Sequence, residues 1–121
     1  MSDFGKLLTA VITPFDNNGV LNTDTLWRLC KKLVHEKSDG LVLSGTTGES
    51  PNLTKEDRKI IYSTAKDSVG DKAKIIAGTG TYSTKESIEY TKMANDIGVD
   101  GIMIVTPYYS KPSQFGILKH F

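Results

Sequence analysis

The sequence predicts an α/β fold in which a parallel sheet is covered by amphipathic helices. Short apolar runs recur roughly every 30 residues, the repeat of a βαβ unit. Between them lie helix patterns with apolar residues at i, i+3 and i+4. Gly, Pro and Asn mark the junctions.

Leu8 to Thr13 reads as the first strand, stopped by Pro14 and followed by an Asn17-Asn18-Gly19 turn. A helix starts near Asn22 or Thr23, either of which can cap free N–H groups. Leu26, Leu29, Cys30, Leu33 and Val34 form its apolar stripe, and Gly40 closes the segment. Leu41 to Ser44 is the second strand. Thr54 and Asp57 resemble a capping box ahead of a helix with Ile60, Ile61, Ala65 and Val69 on one face, ended by Gly70. Lys74 to Ala77 is the third strand. Ser83 and Glu86 form a full capping box for a helix carrying Tyr90, Met93, Ala94 and Ile97, which Gly98 ends. Gly101 to Thr106 is the fourth strand. A fourth helix begins at Ser113, with Ile117, Leu118 and Phe121 on one side. This βαβαβαβα order fits an open doubly wound sheet or half of a (β/α)₈ barrel, and the pattern alone does not separate them.

At 121 residues the chain is a single domain with room for a core, and its net charge of +1 offers no electrostatic basis for nucleic acid or an acidic membrane. The lone Cys30 excludes an internal disulfide, fits a reducing compartment and sits on the apolar stripe, where packing explains it. No segment has the apolar length of a membrane span and no signal-peptide core opens the chain, so a cytoplasmic protein is expected. His35 and His120 lack ligand-spaced partners, and Lys31-Lys32 reads as a solvated helix face; no metal site is expected.

The carboxyl ends of the four strands carry Thr13-Pro14, Gly45-Thr46-Thr47-Gly48-Glu49, Gly78-Thr79-Gly80 and Thr106-Pro107-Tyr108-Tyr109. In a parallel α/β protein these fall on one rim, where ligands bind. Gly lets backbone N–H groups approach an anion, and Thr and Tyr hydroxyls can relay protons. Gly and Thr are also ordinary turn residues. The Gly45 loop is not a P-loop, because no Gly-Lys-Ser/Thr follows. Gly78-Thr79-Gly80 to Ser83 falls short of a dinucleotide fingerprint, with Ser83 in place of the third Gly.

Taken together, Ala10 to Phe15, Gly45 to Glu49, Ala77 to Gly80 and Val105 to Pro112 make the chain resemble the dihydrodipicolinate synthase/N-acetylneuraminate lyase family of pyruvate-dependent class I aldolases, along essentially all its length. Thr46 and the Pro107-Tyr108-Tyr109 to Pro112 stretch look synthase-like. The resemblance implies the N-terminal half, about (βα)₄, of a (β/α)₈ TIM barrel, with residues 1–121 as one partial domain cut within the fourth helix. It implies condensation of pyruvate with aspartate semialdehyde, towards lysine and diaminopimelate, by a Schiff-base lysine without any cofactor. By motif matching, Thr47 and Gly48 hold the pyruvate carboxylate, Thr46 belongs to a proton relay, and Tyr109 enters that relay from a neighbouring subunit of a tetramer. Tyr82, Glu86 and Tyr108 match a regulatory lysine site, although Tyr82 stands where lysine-sensitive members have Asn or His.

A complete barrel needs about 250 residues. The Schiff-base lysine and the Tyr that activates it are therefore expected beyond Phe121, and the isolated chain is expected to be inactive. The alternatives are a related aldolase acting on keto-deoxy sugar acids, a self-associating half-barrel remnant, and a nucleotide-binding open sheet.

Overall fold

A computed structural model describes residues 3–121. It contains four strands, β1 (Leu8–Ala10), β2 (Gly40–Leu43), β3 (Lys74–Gly78) and β4 (Gly101–Met103). Four α-helices alternate with them: α1 (Thr23–His35), α2 (Lys55–Val69), α3 (Thr84–Ile97) and α4 (Gln114–His120). The strands lie in the order β1-β2-β3-β4, all parallel.

That order decides between the two architectures. A doubly wound sheet reverses its strand order at a switch point, whereas a barrel adds each strand beside the last. The helices support the same choice. Val11, Leu41, Leu43, Ile75 and Ala77 share one buried cluster with Leu26 and Cys30 of α1, Ile61, Tyr62 and Ala65 of α2, and Ala94 of α3. All three helices thus cover one face of the sheet. The opposite face, with the row Ala10–Val42–Ile76–Gly101, leaves Leu8, Ile12, Met103 and Val105 exposed. It is the inner face of a half-barrel.

Most helix ends lie where local chemistry puts them. Asn22 caps α1, its Oδ1 accepting from Thr25 N–H at 3.0 Å. Thr54 and Asp57 form a reciprocal box, with Thr54 Oγ1 accepting from Asp57 N–H (3.1 Å) and Asp57 Oδ2 from Thr54 N–H (2.9 Å). Gly70 and Gly98 close α2 and α3 with φ of 54° and 80°.

Three expectations need correction. Ser83 and Glu86 make half a box: Ser83 Oγ accepts from Glu86 N–H (3.3 Å), but the Glu86 carboxylate accepts from the Thr81 hydroxyl instead. At the end of α1 it is Lys37, not Gly40, that takes the left-handed turn (φ 76°), while Gly40 opens β2. β1 and β4 are shorter than expected, ending at Ala10 and Met103, because each pairs on one side only. The expected start of α4 at Ser113 holds, and the apolar residues Leu118 and Phe121 are exposed.

Candidate functional site

The carboxyl ends of the strands form one rim around a cavity of about 600 Å³, walled by Ser44, Thr46, Ser50, Gly78, Gly80 and Tyr108, among others. The loop from β2 to α2 dominates it. Ser44 leaves β2 in a left-handed conformation (φ 54°), and Glu49 repeats it (φ 57°). Between them the chain folds back on itself, with Glu49 N–H donating to Thr46 O (3.1 Å) and Ser50 N–H to Gly45 O (3.2 Å).

This compact turn uses few of its own donors. Among the described residues, the N–H groups of Thr46, Thr47 and Gly48 and the hydroxyls of Thr46 and Thr47 make no hydrogen bond. Thr46 and Thr47 are exposed, whereas Gly48 is buried and its carbonyl accepts from the Thr13 hydroxyl at 2.7 Å. Successive unpaired N–H groups in a fixed turn, flanked by hydroxyls, can receive an anion such as a carboxylate.

Two glycines of β3 and its loop are required by packing. A Cβ on Gly78 would meet Ser44 O at 2.4 Å, and one on Gly80 would meet Val105 N at 2.3 Å. Close backbone approach therefore accounts for the Gly78-Thr79-Gly80 motif without any nucleotide.

The β4–α4 loop brings the tyrosines. Tyr108 lines the cavity and stacks edge-on against Tyr82, with ring centroids 5.5 Å apart. Tyr109, left-handed at φ 48°, is 93% exposed and makes no hydrogen bond among the described residues. The rim thus gathers Thr46, Tyr108 and Tyr82, with Thr47 and Gly48 next in the same loop. Tyr109 projects from the surface, and Glu86 is engaged with Thr81 at the start of α3.

Beneath the rim lies a cluster that the motif reading did not single out. Arg58 of α2 is 2% exposed. Its Nη1 donates to Gly78 O (2.8 Å), and its Nη2 donates to Ser50 O (2.8 Å) and Ser50 Oγ (2.7 Å). The guanidinium carbon lies 4.6 Å from the centre of the Tyr90 ring. Tyr62, fully buried one turn on, donates to the same Gly78 O at 3.0 Å, and burial pushes its hydroxyl pKa up. A signal was present in the sequence: Arg58 stands at i to Ile61, Tyr62 and Ala65 at i+3, i+4 and i+7, on the apolar stripe itself.

The opposite rim carries acids that cap strands. Asp39 Oδ2 accepts from Leu7 N–H (2.9 Å) and Lys6 N–H (2.7 Å), and these bonds hold its carboxyl below the usual range. Asp100 is partly buried, which works against its charge. The Ile75 N–H and the Lys74 and Lys66 ammonium groups outweigh that and also hold it low. No group of three or more potential metal ligands occurs among the described residues. No helix is long and apolar enough to cross a membrane.

Comparison with known proteins places this geometry. The 4-hydroxy-tetrahydrodipicolinate synthase of Desulforudis audaxviator is 52% identical over 119 residues, which are 98% of this chain and 40% of that protein. The crystal structure of dihydrodipicolinate synthase from Bacillus anthracis superposes with a TM-score of 0.96 at 44% identity, covering 100% of this chain and 41% of that one. The enzyme from Acinetobacter baumannii, solved in complex with pyruvate, has a TM-score of 0.94 at 35% identity, covering 98% of this chain and 40% of that one. The chain thus spans about 40% of the length of these relatives. Its four βα units form the N-terminal half of a (β/α)₈ barrel. Residues 3–121 match the Dihydrodipicolinate synthetase family, and the chain belongs to that family.

Proposed function

We propose that the chain provides the pyruvate-carboxylate loop and part of the proton relay of a 4-hydroxy-tetrahydrodipicolinate synthase, a class I aldolase joining pyruvate to aspartate semialdehyde. The observation that carries this reading is the Thr46–Gly48 turn, whose N–H groups and hydroxyls are unpaired at the carboxyl rim. In it, the Thr47 hydroxyl and N–H and the Gly48 N–H hold the carboxylate, and Thr46 begins the relay. A Tyr109 side chain 93% exposed is available to a neighbouring subunit, which supports its role across the interface of a homotetramer. Tyr82, Glu86 and Tyr108 form its lysine regulatory site, a reading supported by the edge-on contact of Tyr82 with Tyr108.

The Schiff-base lysine of this proposal comes from outside the 121 residues. Lys74 lies at the amino end of β3, 3.1 Å from Asp100 and away from the rim loops. Lys111 is exposed in the β4–α4 loop, whereas a Schiff-base lysine is activated in a desolvated pocket. A second half-barrel would also cover the exposed inner face at Leu8, Ile12, Met103 and Val105.

Pyruvate titrated into the ¹⁵N-labelled chain tests this. Saturable shifts centred on the Thr46, Thr47 and Gly48 amides are expected, with no gain in mass after borohydride. Shifts elsewhere, or none, overturn the carboxylate loop. A trapped adduct on Lys74 or Lys111 overturns the external lysine.

A further inference from the structure

Arg58 is a buried cation without a counter-ion: none of the ion pairs among the described residues involves it. Burying an unneutralised charge is unfavourable, and an apolar side chain would fill the same stripe position at lower cost. Its presence there needs a reason that packing does not supply. The partners point to one. They are the carbonyl at the carboxyl end of β3, through Gly78, and both oxygens of Ser50, the residue that closes the β2–α2 turn. One planar guanidinium therefore ties two neighbouring rim segments together, a geometry that a point-like ammonium cannot reproduce. Tyr62 adds a second bond to the Gly78 carbonyl, and the Tyr90 ring supports the cation from its face.

From the other side, Thr13 grips the Gly48 carbonyl. The turn carrying Thr46 and Thr47 is thus held at Gly48 and Ser50, the two residues that follow its tip, while its own donors stay unpaired. Preoriented donors bind an anion without the cost of ordering the loop first.

We propose that Arg58, with Tyr62, is a positioning residue that holds the Thr46–Gly48 turn in its anion-binding form, by bridging Ser50 to the end of β3. The ligand class is a small 2-oxo carboxylate, and the proposal rests on the carboxylate reading of that turn.

The experiment measures pyruvate affinity by amide shifts on the full chain for Arg58→Ala, Arg58→Lys, Tyr62→Phe and Ser50→Ala. Losing the charge-assisted bridge is expected to weaken pyruvate binding about tenfold in Arg58→Ala, and nearly as much in Arg58→Lys, which keeps the charge and loses the fork. Millimolar guanidinium added to Arg58→Ala is expected to restore most of the affinity, a response that general loss of stability would not show. Tyr62→Phe and Ser50→Ala, each removing one bond, are expected to weaken binding about two- to threefold. Unchanged affinity in a folded Arg58→Ala protein overturns the proposal. If that variant does not fold, unchanged affinity in both Tyr62→Phe and Ser50→Ala does so. Absence of any pyruvate shift in the wild type instead overturns the carboxylate reading itself.

Discussion

Gly78→Ala tests the packing of the rim most directly. The added Cβ would lie 2.4 Å from Ser44 O, 2.8 Å from Ser44 C and 2.9 Å from Leu43 O, where ordinary contact begins at 3.4 Å. All three atoms are backbone, so no side chain can swing away. β2 and β3 must separate by about 1 Å at their carboxyl ends, enough to stretch hydrogen bonds beyond useful length. Loss of one or two ladder bonds, together with disturbed Arg58 and Tyr62 bonds to the Gly78 carbonyl, gives a destabilisation of about 3–5 kcal/mol. The chain has a single tryptophan, Trp27, whose fluorescence can follow urea unfolding. With a urea slope of about 1–3 kcal/mol/M, the midpoint should fall by roughly 2 M. Gly45→Ala is the control. Its Cβ meets only Met103 Cε at 3.0 Å, the far end of a flexible side chain, and the cost should stay below about 1 kcal/mol. If Gly78→Ala matches Gly45→Ala, the close-approach argument is wrong.

Ser44→Gly should stabilise the chain by about 1 kcal/mol, because Ser44 is left-handed; a lowered melting temperature would refute this. Cys30 is fully buried and its thiol is pushed up to about 11 by burial, so a thiol reagent near neutral pH should label it only as fast as the chain opens. The same shift makes stability fall as pH rises between the unfolded value of 9.0 and about 11, a decline that Cys30→Ala should reduce. Asp39 and Asp100 have lowered pKa values, so their contribution is present above the ordinary 3.8 and lost as pH falls through the folded values. Urea unfolding in acid should therefore show a slope below about pH 4 that Asp39→Asn with Asp100→Asn flattens.

What the sequence disclosed was mostly local. Caps and stripes depend on residues three and four apart, so Asn22, Thr54 and the Leu26–Cys30–Leu33 stripe could be read directly. Strand order could not be read from the pattern and came only through the family resemblance, which implied half of a (β/α)₈ barrel. It depends on which side each crossover returns, and repeated βα units carry no mark of that. Strand length at the edges escaped for a related reason: Val11 and Ile104 look like strand residues, but β1 and β4 have one neighbour each. The rim loops were legible as motifs. The clamp below them was not, because the bonds of Arg58 join Ser50 and Gly78, which are distant in sequence, and a charged residue on an apolar stripe reads first as an irregularity.

Backbone strain divides the molecule the same way. Among the described residues five non-glycine positions have positive φ, and four of them, Ser44, Glu49, Tyr109 and Lys111, lie in the β2–α2 and β4–α4 loops. Each such residue costs on the order of 1 kcal/mol and persists only where its surroundings hold it. Around the β2–α2 turn the surroundings are Thr13, bonded to Gly48, and Arg58, bonded to Ser50. At the opposite rim Asp39 and Asp100 satisfy strand N–H groups instead, and among the described non-glycine residues Lys37 is the one with positive φ there. Donors at the amino end are spent on the fold, whereas those of Thr46, Thr47 and Gly48 stay unpaired in a turn held by other residues. A barrel that places chemistry at its carboxyl rim requires that asymmetry, and this half of one already has it.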